Sequence, residues 1–257
     1  MEILIICIVA FLVSILTFFS GFGLGTILTP VLMVFFPVEI AIALTGIVHF
    51  FNNVFKLFLV GRNADKKVLV RFGIPAVIAS FIGAYILLSI PDAAPLFEYN
   101  LFGKHFQVYP VKFIISVLLI IFAAIDLVPK YKRMEFGKDK LPLGGFLSGF
   151  FGGLSGNQGA LRTAFLIKAG LTKEAFIGTA VVVSTFVDFT RLGVYATRIK
   201  TSGIQDNIGL IICATLSAIA GAYLGNLLLK KVTLRFLQVV VAILLIAISI
   251  ALGTGLI

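Results

Sequence analysis

The chain alternates long apolar runs with short polar ones, at 2–19, 24–36, 38–60, 69–90, 109–129, 142–155, 158–171, 174–196, 204–229 and 232–253. A helix needs about 20 apolar residues to cross a hydrocarbon core of about 30 Å. Six of the runs meet that length. The other four form two pairs, 2–19 with 24–36 and 142–155 with 158–171. Each pair is two shorter runs joined through a glycine-rich break, Ser20–Thr26 in the first and Gly152–Gly159 in the second. Glycine clusters of that density end helices, because a residue without Cβ gives up the most backbone freedom when ordered. The pattern predicts an all-α integral membrane protein.

The two breaks correspond. A shift of 135 positions lays 20–60 on 155–195 without a gap and matches Ser20-Gly21 with Ser155-Gly156, Glu39 with Glu174, Ile42 with Ile177 and Val48 with Val183. It also sets Asn53 on Asp188 and Lys56 on Arg191, while a shift of 138 brings Gly83-Ala84-Tyr85 onto Gly221-Ala222-Tyr223. We read a duplication, with a first membrane repeat over 1–128, a linker loop over 129–140 and a second repeat over 141–257. Each repeat is a glycine-broken hairpin followed by three spanning helices. Three is odd, so the halves have inverted topology.

Composition sharpens this reading. The 257 residues are 60% hydrophobic and 12% charged, with a mean hydropathy of +1.14. Soluble domains carry about 45–50% apolar and about 25% charged residues, so a soluble enzyme is excluded. A formal charge of +10 would suggest nucleic acid in a soluble protein. In a membrane protein, cations set orientation instead. With inverted halves, one side gathers fourteen cations, from Arg62, Lys66, Lys67 and Arg71 through the 130–140 loop to Lys230, Lys231 and Arg235. Lys104, Arg198 and Lys200 fall on the other side, and Lys56, Lys112, Arg162 and Arg191 lie within spans, which accounts for all 21. Both termini are then outside. The N-terminus lacks the positive start of a secretory signal and reads as the first helix. Cys7 and Cys213, 206 positions apart in apolar runs, read as free buried thiols.

Ionisable groups at membrane depth cost roughly 2.5–3.5 kcal/mol on insertion scales and mark candidate sites. His49, Asn53 and Lys56 share one face of the run 38–60, at i, i+4 and i+7. Ser184, Asp188 and Arg191 form the counterpart stripe. His49 and Asp188 are candidate coupling residues. Asp188 and Arg191, three apart, could also be a purely structural pair, and Lys56 could snorkel to the headgroups instead of contacting a charge. Arg162 lies about one turn inside a half-helix.

The breaks add backbone chemistry. A helix beginning at mid-membrane exposes about four unpaired N–H groups and a partial positive charge of about +0.5. Two such starts, near Leu24–Thr26 and Asn157–Gly159, would meet if the hairpins come from opposite sides, making the midplane suited to a small anion. The competing reading is that these glycines only permit close helix packing. The substrate-binding set is therefore Ser20, Gly21, Gly23, Gly25, Thr26, Asn53, Ser155, Gly156, Asn157, Gln158, Gly159, Arg162 and Arg191, with His49, Asp188 and Lys56 beside it. There is no metal-binding spacing, no catalytic signature and no phosphate-binding loop. No cofactor and no nucleic-acid partner are expected. The partners are a small anion and the bilayer, and monomer and homodimer both remain open.

With these residues in hand, the chain resembles the TauE/SafE family of sulfite and organosulfonate exporters. The resemblance rests on Ser20-Gly-Phe-Gly-Leu-Gly with Pro30 after it, the second break at 152–159, the charged loop between the halves and the duplication. It implies a multi-pass permease of a prokaryotic plasma membrane that moves sulfite or a similar sulfur-containing anion outward without ATP. One departure is that the second break reads Asn157-Gln158-Gly159 with Arg162 nearby, where a pattern like Gly25–Pro30 is expected. The leading expectation is a secondary transporter working by alternating access. An anion channel, or a transporter of another small anion or organic acid, is the alternative.

Overall fold

The computed structural model describes residues 2–20, 23–89, 94–101, 103–127, 137–197, 204–228 and 234–256. Helix α1 (Glu2–Ser20) leads through a break to the short α2 (Gly25–Leu32) and then α3 (Val38–Val60). A turn of α4 (Lys66–Val68) continues through a π-helical stretch, Leu69–Gly73, into α5 (Ile74–Ser89). The widened turn has a local cause: Pro75 has no N–H to bond the Arg71 carbonyl, and its ring crowds that carbonyl. Strands β1 (Phe97–Leu101) and β2 (Lys104–Val108) precede α6 (Pro110–Leu127). The second half repeats the order: α7 (Leu141–Ser155), the short α8 (Gly159–Leu166), α9 (Lys173–Tyr195), α10 (Ile208–Leu228) and α11 (Leu234–Gly253).

Four helical stretches, Ile40–Asn63, Lys66–Ser89, Lys173–Tyr195 and Ile204–Leu228, are long and apolar enough to cross a membrane. Helices α6 and α11, of 18 and 20 residues, occupy the other two expected spans. The linker over 129–136 and the cations Arg198, Lys200, Lys230 and Lys231 lie outside the described residues, as does the side chain of Arg235.

Small residues set the packing. Gly145, Gly149 and Gly153 recur every fourth position on α7, and a Cβ there would lie 2.1, 1.9 and 2.1 Å from the carbonyl oxygens of Phe72, Ala76 and Ser80. Only glycine allows α7 to run parallel to α5 at that separation. The matching pair is α1 with α10, where a Cβ on Gly221 would sit 2.2 Å from the Phe11 carbonyl oxygen. Two such helix pairs are therefore in close contact, α5 on α7 and α10 on α1.

Helices α3 and α9 cross at the centre and run antiparallel. Val60 O would approach a Cβ on Gly178 to 2.6 Å, while Gly46, two-thirds of the way back along α3, faces Leu192. Their N-termini therefore lie at opposite ends of the molecule. After Ser155 the chain turns back along α8, so that Gly170 returns beside Lys138, where α7 begins. In the first half the same reversal brings Gly23 beside His49 and Gly25 beside Thr45, with α2 running towards the start of α3.

Three expectations change. The β1–β2 hairpin, antiparallel with Phe97 opposite Val108 and Leu101 opposite Lys104, occupies what the hydropathy pattern gave as a plain outer loop. His105 within it contacts the Glu98 carboxylate at 3.2 Å. The second break is shorter than its glycines suggest: α7 stays helical through Gly152 and Gly153 to Ser155, and only Gly156, with φ +75°, caps it. Cys7 and Cys213 are free but not buried. Cys7 is half-buried and Cys213 exposed, because both sit on outward faces of apolar helices, where a thiol facing lipid costs no burial of a polar group.

Candidate functional site

The polar stripes of α3 and α9 face each other because the helices cross with their mid-lengths in contact. Asp188 sits at the crossing with 0% exposure. His49 Nδ1 lies 2.6 Å from Asp188 Oδ2, and Asn53 Nδ2 donates to the same oxygen at 2.8 Å. The other carboxylate oxygen accepts from Arg191 Nε at 3.0 Å, with Arg191 Nη2 at 2.8 Å, and from Gln158 Nε2 at 3.4 Å. One carboxylate thus joins α3, α9 and the second break. Burial of ionised groups at this depth is tolerated only with partners of this kind.

The short helices meet over the same point. Thr26 Oγ1 donates to Asn157 Oδ1 at 3.2 Å across the two breaks. A Cβ on Gly25 would lie 2.8 Å from the Gly156 carbonyl oxygen, so the backbones touch there. Gly23, with φ +89°, leaves room for His49 Nε2, which a Cβ would approach to 3.0 Å. Gly156 does the same for Arg191 Nη1, also at 3.0 Å. Here glycine is needed twice over, for the left-handed backbone and for the close approach.

On the other flank of Asn53, Arg162 Nη1 donates to Ser184 Oγ. Lys56 is 3% exposed, so it does not snorkel. Its ammonium lies 5.5 Å from the centre of the Phe18 ring. With the Asn52 amide oriented to satisfy both ends, its oxygen accepts from Lys56 Nζ and Ser14 Oγ and its nitrogen donates to Ala218 O, each at 3.2 Å. Lys56, Arg162, Asn53 and Ser184 line a small cavity of about 20 Å³, room for about one water molecule.

The sequence-selected residues therefore separate into groups. Thr26, His49, Asn53, Lys56, Gln158, Arg162, Asp188 and Arg191 converge, with Gly23, Gly25, Gly156 and Asn157 at the contact of the breaks and Gly159 buried where α8 opens. Ser155 does not join them: its hydroxyl donates to the Phe151 carbonyl and accepts from Asn157 N–H, which caps the turn. Arg191 is an ion-pair partner of Asp188 rather than an isolated cation. Arg162 reaches Ser184 by hydrogen bond. Gly21 and the side chain of Ser20 lie outside the described residues.

The hydropathy pattern missed Thr45, Thr29 and Tyr195. Thr45, four residues before His49, extends the stripe of α3 by one turn, and that spacing could have revealed it. Tyr195 anchors the end of α9 by donating to the Gly153 carbonyl. No signal in the chain pairs those two positions. Among the described residues, Arg191 Nη1, Asn157 Nδ2, Gln158 Oε1 and the hydroxyls of Thr29 and Thr45 are buried without hydrogen-bond partners. Most of these are donors, and donors left over in a buried site suit an oxyanion.

A family model for the sulfite exporter TauE/SafE proteins matches residues 6–252 of the 257. The chain belongs to the sulfite exporter TauE/SafE family. Comparison with curated proteins finds no match. As a TauE/SafE protein it is a membrane protein of a transporter family, one whose members export sulfur-containing anions. Among the described residues of this TauE/SafE protein, the buried ionisable side chains His49, Lys56, Arg162, Asp188 and Arg191 gather in the cluster of α3, α9 and the two breaks.

Proposed function

We propose that this TauE/SafE protein is a secondary transporter of a small sulfur oxyanion, sulfite or an organosulfonate, bound beside the two glycine breaks. The observation that carries this reading is the charge count of the buried cluster. Among its described residues, Lys56, Arg162 and Arg191 face the single carboxylate of Asp188. In a low-dielectric interior such an excess of cations favours an anion of matching charge. Lys56 and Arg162 supply that charge beside the cavity. Asn53 and Ser184 complete the donor set around it.

The cavity of about 20 Å³ is too small for a sulfur oxyanion, which supports a carrier that opens to bind over an open channel. The antiparallel crossing of α3 and α9, whose sequences correspond, supports two inverted halves rocking about this site. The 2.6 Å contact between His49 and Asp188 supports coupling of transport to a proton held between them.

Counterflow in proteoliposomes tests the reading. Sulfite inside should drive exchange of labelled sulfite, and sulfoacetate, taurine and thiosulfate rank the preference. Loss of one charge-assisted hydrogen bond, worth about 1.5–3 kcal/mol, should weaken anion affinity roughly 10- to 100-fold in Arg162→Ala and in Lys56→Met. No exchange of any of these anions, or undiminished affinity in both variants, would refute it.

A further inference from the structure

A second site lies where the chain meets the membrane surface, away from the buried cluster. Lys66, Lys67 and Arg71 project from the start of the span Lys66–Ser89, and Lys138 reaches across from the start of α7. Together they line an open cavity of about 660 Å³, floored by the Ala169–Leu171 turn. Among its described lining residues the one acidic side chain is that of Asp65, which caps the helix that follows. Its carboxylate accepts from Val68 N–H at 2.9 Å as a helix cap, and its own N–H donates to Thr179 Oγ1 at 2.9 Å. With four cations against this one carboxylate, the described lining carries a net charge of +3.

An apolar groove adjoins this pocket. Val70 lines both, and from it a groove of about 330 Å³ runs between α5 and α9. Ile74, Val77 and Ile78 form one wall and Val182 and Phe186 the other. From Leu69 to Ile78 the groove follows nine residues of helix, about 14 Å at about 1.5 Å per residue. That is close to half of a hydrocarbon core of about 30 Å, the depth of one leaflet. Four cations at the surface and an apolar channel one leaflet deep are the two ends of a single kind of molecule.

We propose that this cleft binds an anionic phospholipid, with its phosphate headgroup among Lys66, Lys67, Arg71 and Lys138 and one acyl chain along α5 and α9. Charge complementarity selects the headgroup, and continuity through Val70 selects a lipid over a free phosphate. The wall of the groove is α9, which also carries Asp188. The bound lipid thus braces the helix crossing that holds the buried cluster. The proposal does not depend on which anion is transported.

Native mass spectrometry of the full chain released from nanodiscs tests it. From an equal mixture of phosphatidylglycerol and phosphatidylcholine, the protein should retain the anionic lipid at least tenfold in excess. The variant Lys66→Gln/Lys67→Gln/Arg71→Gln should lose that preference. Val70→Trp, an exposed position that plugs the junction, should lose the lipid although every cation remains. Equal retention of the two lipids by the unmodified protein would overturn the proposal. So would unchanged retention in Val70→Trp, or full displacement by inorganic phosphate, since either result describes a phosphate site without an acyl groove.

Discussion

Asp188 gathers His49, Asn53, Gln158 and Arg191 on two oxygen atoms, so its protonation and its partners are a single problem. A proton on His49 adds charge to a cluster that already holds three cations, and a bound anion offsets it. On the proposed function, binding of proton and anion would then be mutually favourable, which is the thermodynamic content of coupling. His49→Gln keeps a hydrogen-bonding side chain next to Asp188 but removes the titrating group. Counterflow, which needs no net proton movement, should persist in this variant. Accumulation driven by a pH gradient should fall to the level of gradient-free liposomes. Gradient-driven transport at the unmodified rate in His49→Gln would remove the coupling role. The residues of this site were legible in the chain because charge at membrane depth is rare. Their partners were less so: the Arg162–Ser184 bond and the position of Lys56 under Asn52 depend on how α3, α8 and α9 are turned, which spacing along one helix does not specify.

At the scale of elements, the glycines divide by what they touch. Gly23 and Gly156 adopt left-handed backbone at the turns, as expected from the density of glycine in the breaks. Gly145, Gly149 and Gly153 are helical and face α5. Hydropathy does not separate the two uses, because the packing glycines of the run 142–155 lead without interruption into the turn at Gly156, so the pattern places the start of the second break at Gly152. The β1–β2 hairpin was equally hidden, since its strands are half-exposed and their alternation is brief. The packing glycines carry a direct consequence. A Cβ on Gly149 would overlap the Ala76 carbonyl oxygen at 1.9 Å, and backbone cannot yield as a flexible side chain does. Gly149→Val should force α5 and α7 apart at a cost beyond the about 1–3 kcal/mol typical of overpacking. Gly193, which has no neighbouring atom within 4 Å of such a Cβ, is the control. Detergent-solubilised Gly149→Val should lose its monodisperse peak in size-exclusion chromatography, while Gly193→Ala elutes as the unmodified protein does. A normal elution profile and melting temperature for Gly149→Val would show that the close α5–α7 contact is not needed.

For the whole molecule, the arrangement of ends follows from the crossing of α3 and α9. Asn63 closes the turn after α3 beside Gly178 near the start of α9. The cations Lys66, Lys67, Arg71 and Lys138 cluster at that same end. The β1–β2 hairpin follows α5, whose start lies at the cationic end, and so projects from the opposite one. Cations accumulate on the cytoplasmic side of membrane proteins, which predicts the hairpin outside the cell and the turn at Asn63 inside. Orientation is therefore testable with two exposed positions, Asn63 and Lys104. Cys7 and Cys213 are first replaced by serine, because neither is fully buried. In intact cells, a membrane-impermeant thiol reagent should label Lys104→Cys at once. Asn63→Cys should react only after permeabilisation. The reverse pattern would invert the molecule, placing the cationic end outside and leaving the positive-inside count of the chain without its physical basis. Labelling of both in intact cells would mean that the span Lys66–Ser89 does not carry the chain across the bilayer. The antiparallel crossing that joins the His49 and Asp188 stripes would then have to be explained without a membrane between their ends.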